Sequence, residues 1–151
     1  MIAFISDIHG LGLNTAQGLI YTETFYWDLN DQTRAWTKRF VAQNNNKYPT
    51  MVHAGVYSSV LHYLKAVEAL KSKDAQKVMA KMKETPTDDT LFGKGVIRAD
   101  GRKIHDAFLF EVKKPSESKG EWDLYKTLAT IPGDQAFRPL NEGGCPLVNK
   151  S

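Results

Sequence analysis

Asp7 and His9, one residue apart and followed by Gly10, are the residue types in this chain that could most directly do chemistry. A carboxylate and an imidazole are natural metal ligands when a strand delivers them into a turn. The apolar run 2–5 reads as that strand, and the polar, turn-prone segment 6–10 as the loop beyond it. Two ligands do not make a bimetal hydrolytic centre, which needs several more. His53, His62, His105 and the pair Gly133-Asp134 stand apart in no ligand pattern. Lone histidines on amphipathic segments are usually hydrogen-bonded structural residues. His53 differs, because it falls in the first turn of a predicted helix, one turn before Tyr57, where side chains and free amides can face a cleft. Cys145, the only cysteine, lies in a Gly-Gly-Cys-Pro tail with no histidine or acid arranged around it, so no nucleophilic role is assigned. No phosphate-cradling glycine loop and no serine elbow occurs, and no cofactor is implied.

The element that must position His53 is the stretch 50–70. Val52, Val56, Val60, Tyr63, Val67 and Leu70 recur at steps of three or four, the period of one apolar helix stripe, predicted to face a core. Pro49 stops any earlier helix and Thr50 can cap this one. Ala54, Gly55, Ser58 and Ser59 make its first turns small, which suits close packing or a bound molecule nearby. Helices are also predicted over 31–44 and 75–83, with a short helical turn within 11–17. Strands are predicted over 18–22, 96–98, 104–112 and 122–131. Asp100-Gly101 makes a hairpin turn, since glycine readily takes the positive φ required there. The apolar faces of 107–112 mark a central strand. Segment 85–89 reads as the break that ends the helical half.

Helices in the middle and strands at both ends give an α/β layered class. A 151-residue chain can bury one sizeable core or share in two. Its net charge of +3 comes from both signs spread along the chain, with no basic block interleaved with aromatics, which argues against nucleic-acid binding. No apolar run reaches the ~18 residues of a bilayer span. The first ten residues do not have the make-up of a signal peptide, so the expectation is a cytoplasmic protein or a piece whose true N-terminus lies elsewhere.

Segment 4–10, Phe-Ile-Ser-Asp-Ile-His-Gly, resembles the first metal-ligand motif of calcineurin-like metallophosphoesterases, which would use Asp7 and His9. A wider resemblance outweighs it. Segments 18–31 (GLIYTETFYWDLND), 49–67 (PTMVHAGVYSSVLHYLKAV), 100–106, 114–123, 129–134, 137–140 and 145–148 resemble, in order and over essentially the whole chain, the solute-binding proteins of branched-chain amino acid ABC transporters. Members of that subgroup also carry an Asp-x-His segment.

The resemblance implies a three-layer α/β/α fold of the type I periplasmic-binding-protein kind, incomplete here, because the family has a secretory leader and an N-terminal half that this chain lacks. It implies residues 1–21 as the end of the second lobe with a crossover, 22–107 as part of the first lobe, and 108–151 as a crossover strand and the rest of the second. It implies a non-catalytic subunit of an ABC importer, periplasmic, binding an amino acid, amide or aromatic acid in the inter-lobe cleft. By the same resemblance Asp7 would hold a ligand ammonium, with His9 facing the cleft in its stead if the alignment slips. Met51, Val52 and His53, with Tyr57 one turn on, would line the pocket. Carboxylate-binding groups would lie in the missing half, so the chain alone should hold ligand poorly. The implied partners are the solute, the membrane permease, and either the missing N-terminal half or a second copy. One of these would cover apolar faces expected at Phe25, Trp27, Trp36, Phe108 and Phe110. A metallophosphoesterase and a stand-alone interaction domain are the competing readings.

Overall fold

Asp7 lies in the first turn of a helix instead of following a strand. Its carboxylate accepts the backbone N–H of Phe4 at 2.8 Å, and Ile5 and Ile8, three apart, bury on one side. That pairing satisfies one of the amides a helix start leaves open. The structure, a computed structural model, describes residues 3–146 and residue 148. The predicted strand 2–5 and loop 6–10 are therefore corrected to a helix from Ile5, with Ile2 outside the described residues. In chain order the elements are α1 (Ile5–Leu11), α2 (Leu13–Ala16), β1 (Ile20–Glu23), α3 (Asp31–Gln43), α4 (Met51–Leu70), α5 (Ala75–Glu84), β2 (Thr87–Asp89), β3 (Gly93–Ile97), β4 (Lys103–Ile104), β5 (Ala107–Val112), β6 (Tyr125–Ile131) and α6 (Gly133–Ala136). The chain is mixed α/β and divides into two units: Met1–Ala54 with Ala107–Ile131, and Gly55–Asp106 with Pro132–Ser151. No helix among the described residues is long and apolar enough to cross a membrane.

The first unit is built on a three-stranded antiparallel sheet in the order β1-β5-β6. β5 is central, as its doubly apolar faces predict. Opposite Leu109 and Phe110 the register of β6 slips by one residue, which leaves Leu128 as the extra residue of a bulge. Ile5, Ile8, Ala16, Tyr26, Phe110, Val112, Leu124 and Tyr125 form the core against this sheet. β6 starts at Tyr125 and not at Trp122, because the Trp122 carbonyl accepts instead from Trp27 Nε1 (2.8 Å) and Tyr26 Oη (3.4 Å). Asn30 caps α3 by accepting the Thr33 N–H. Of the aromatics expected to lie uncovered, Phe25, Trp36 and Phe110 are buried and Trp27 and Phe108 half-buried. Phe25 meets Trp36 edge-on, and Phe110 lies in the core cluster with Ile5, Ile8 and Tyr125, with Trp27 and Phe108 packed against it.

The second unit contains the sheet β2-β3-β4. The Asp100-Gly101 hairpin forms as predicted, with Gly101 at φ +84° and Val96 opposite Ile104. β2 occupies the segment expected to be a simple break. It pairs with β3 at Gly95, where an added Cβ would sit 2.4 Å from the Ile104 carbonyl oxygen, so only glycine fits. The single strand expected over 104–112 is interrupted: His105 packs against Phe92 and Phe137, and the Asp106 carboxylate accepts the Gly133 N–H. Lys103 donates to Asp89 (2.8 Å) and Ser58 (2.5 Å), and Ser58 donates to Asp89 (2.6 Å). Burial raises the Asp89 carboxyl, but Lys103, Ser58 and the Leu91 and Phe92 amides outweigh it and hold it below its usual range.

α4 spans the residues predicted, yet most of its expected core stripe is exposed, with Val67 and Leu70 half-buried. Val52 is 52% accessible, Val56 58%, Val60 49%, and Tyr63 and Leu64 are also open. The buried line is Ala54, Ser58, His62 and Ala66, spaced by four. Small residues and satisfied polar ones pack closely there, and His62 Nε2 pairs with the Met82 carbonyl at 2.9 Å.

Three measurements check this description. Asp89→Asn leaves the half-buried Lys103 ammonium without its counter-charge and should cost about 3 kcal/mol in denaturant unfolding. Val56→Lys should shift stability by less than about 0.5 kcal/mol, as exposed substitutions do. Glu23 is 1% accessible, and burial foremost pushes its carboxyl from 4.5 up to about 8, against a Tyr125 hydrogen bond that lowers it. The folded state therefore holds a proton that the unfolded chain releases near pH 4.5, so stability should fall as pH rises from about 5 to about 8. Glu23→Gln should flatten that slope in thermal melts.

Candidate functional site

α1 carries both residues of the Asp-x-His motif, and each already has a partner in the first unit. Asp7 Oδ2 caps the helix start. His9 Nε2 lies 2.8 Å from Glu121 Oε1, and its ring stacks on Trp122 at 4.0 Å and 3° between planes. Tyr48 lies parallel to Trp122 at 5.0 Å, and Trp27 meets Tyr48 edge-on. Four segments distant in sequence thus meet in one aromatic assembly. It borders a cavity of about 510 Å³ walled by Trp27, Tyr48 and Trp122 with Asp28, Asn46 and Lys119. His9 and Glu121 wall a second space of about 440 Å³ with Leu13 and Leu124. Flat aromatic walls suit a small planar molecule, and with Asp28, Glu121 and Asp123 against Lys119 the charged groups of the larger cavity are mostly acidic.

The start of α4 supplies a different kind of group. The Thr50 N–H donates to His53 Nδ1 (3.1 Å), and Thr50 Oγ1 lies 3.0 Å from the same atom. A backbone amide can only donate, so Nδ1 is an acceptor and the ring's proton sits on Nε2. Phe40 braces the ring edge-on at 5.1 Å. His53 is exposed and so presents an Nε2–H donor held in one orientation. Met51 is half-buried with its sulfur 3.9 Å from Thr24 Oγ1, Val52 is exposed, and Tyr57 follows one turn on in the second unit. The structure brings His9, Glu121, Trp122 and Tyr48 together, and separately Thr50 and His53. Sequence reasoning missed Tyr48, Glu121 and Trp122. Trp122 stands in a Gly-Glu-Trp-Asp loop with no periodicity, and nothing in one sequence links it to residue 9.

A metal centre built on Asp7 and His9 has no support. Among the described residues no group of three or more His, Cys, Asp and Glu side chains could hold an ion. The helix also commits both side chains to other partners.

Comparison with known proteins gives the family. The family model for periplasmic binding proteins matches residues 1–121. A crystal structure of a periplasmic binding protein from Burkholderia mallei is 51% identical, with a TM-score of 0.92 over 97% of this chain. A branched-chain amino acid ABC transporter periplasmic ligand-binding protein from Burkholderia xenovorans is 45% identical, with a TM-score of 0.92 over 98%. The chain spans 38% and 39% of those two proteins. A solute-binding protein from Rhodopseudomonas palustris, solved with 3,4-dihydroxybenzoic acid, shares the fold at 14% identity and a TM-score of 0.71, with 86% of this chain and 35% of that one covered. Among curated proteins no significant match is found. The 151-residue chain belongs to the periplasmic binding protein family.

Proposed function

We propose that this chain supplies part of the extracytoplasmic solute receptor of an ABC importer, working without catalysis in the periplasm. The observation that carries the reading is the likeness, over nearly all of the chain, to a ligand-binding protein of that transporter class. The solute is a small amino acid, amide or aromatic acid. Asp7, His9, Met51, Val52, His53 and Tyr57 are its contacts on this chain. Support for His53 comes from its fixed Nε2–H, which can donate to a solute carboxylate or carbonyl, while Met51 and Val52 offer apolar surface beside it. Asp7 retains a second carboxylate oxygen for an ammonium group. In this reading residues 1–21 and 108–151 belong to one lobe of the family fold and 22–107 to the other. The partners are the membrane permease and the rest of that fold, supplied by a preceding segment or by another chain.

A chimera provides the test: this chain replaces the matching 38% of the Burkholderia mallei protein. Calorimetry with a panel of amino acids, amides and aromatic acids should find one solute bound at micromolar affinity. His53→Ala should weaken it about tenfold, the worth of one hydrogen bond to a charged group. For an ammonium-bearing solute, Asp7→Ala should weaken it about 30-fold or more. A folded chimera that binds nothing its parent binds would refute the receptor reading, and unchanged affinity in both variants would remove these residues from the site.

A further inference from the structure

The second unit holds a cavity that shares no residue with the solute contacts proposed above. About 540 Å³ in volume, it lies among the β3–β4 turn (Arg98, Asp100, Arg102) and the tail (Arg138, Gly143, Cys145). Three guanidinium groups line it against one carboxylate. Arg98 is fully committed: Nη2 donates to Asp100 Oδ2 at 2.7 Å, Nε to Oδ1 at 3.3 Å, and Nη1 to the Arg138 carbonyl at 2.9 Å. That arrangement ties the turn to the tail and neutralises the one acid in the wall. Arg102 lies over the Phe137 ring at 5.5 Å, which orients its guanidinium without neutralising it. Arg138 has one long contact, Nη1 to the Glu142 carbonyl at 3.4 Å. Among the described residues neither Arg102 nor Arg138 has a carboxylate within ion-pair distance. Arg102 and Arg138 thus place two exposed guanidinium groups on one cavity wall whose single acid, Asp100, is taken up chiefly by Arg98, an excess of positive charge that an anion would relieve.

We propose that the cavity framed by Arg102 and Arg138 binds a small oxyanion, a carboxylate, sulfate or phosphate group, which the two guanidinium forks grip together. Planar forks match the oxygens of such groups pairwise. The Phe137 ring orients the Arg102 fork and Arg98 fixes the Arg138 main chain through its carbonyl, so part of the side-chain freedom is given up before the anion arrives.

Cys145 lines the same cavity and is the chain's only cysteine, so it reports on the site from within. Alkylation of Cys145 by neutral iodoacetamide should be slowed at least about threefold, in a saturable way, by millimolar sulfate or malonate. Sodium chloride at equal ionic strength should not do this. Whichever anion protects at lower concentration separates a phosphate- or sulfate-like ligand from a dicarboxylate. The Arg102→Gln/Arg138→Gln double variant, checked for an unchanged circular dichroism spectrum and melt, should lose the protection. It should also lose the preference for iodoacetate over iodoacetamide that a positive cavity imposes. Protection no greater than chloride gives, or protection that persists in the folded double variant, would overturn the proposal.

Discussion

The first unit depends on one strand being paired along both edges. β5 bonds to β1, which precedes it by more than eighty residues, and to β6, which follows it. Phe110 and Val112, fully buried on it, fix which face meets the core, because a one-residue slip would turn them outward. The aromatic assembly of the candidate site follows from that registration. α1 lies on the core through Ile5 and Ile8, and the loop before β6 brings Trp122 beneath His9. The Trp122 carbonyl, accepting from Trp27 and Tyr26, then fixes the ring that His9 and Tyr48 stack upon.

Among the described residues the second unit is held by a charge instead of a large apolar cluster. Asp89 accepts from Lys103, from Ser58 and from two backbone amides, joining α4, β2 and β4. Such a centre is directional where an apolar contact is not. It also explains why Ser58, an ordinary surface residue by composition, lies on the buried line of α4. The exposed valines of that helix form an open apolar face on a chain that spans 38% of its Burkholderia mallei relative.

Local signals were legible in the sequence and long-range ones were not. The bounds of α4, the cap at Thr50, the Asp-Gly hairpin and the central place of β5 follow from spacing, turn chemistry and apolar runs. The inward side of α4 did not, because hydrophobic periodicity identifies a stripe without saying what lies against it. α1 was misread because four apolar residues before a polar segment suit a buried strand as well as a helix start, and the cap from Asp7 to Phe4 decides it. The family was legible through long ordered segments. The aromatic assembly around Trp122 was invisible, since it joins residues 9, 27, 48 and 122 only after the sheet has formed.

In the proposed receptor this chain carries one wall of a solute pocket around the start of α4. A crystal structure of the chimera with its solute tests it most directly. A polar atom of the solute should lie within hydrogen-bond distance of His53 Nε2, with Met51 or Val52 against its apolar part. A well-defined solute touching none of residues 7, 9, 51–53 and 57 would contradict it.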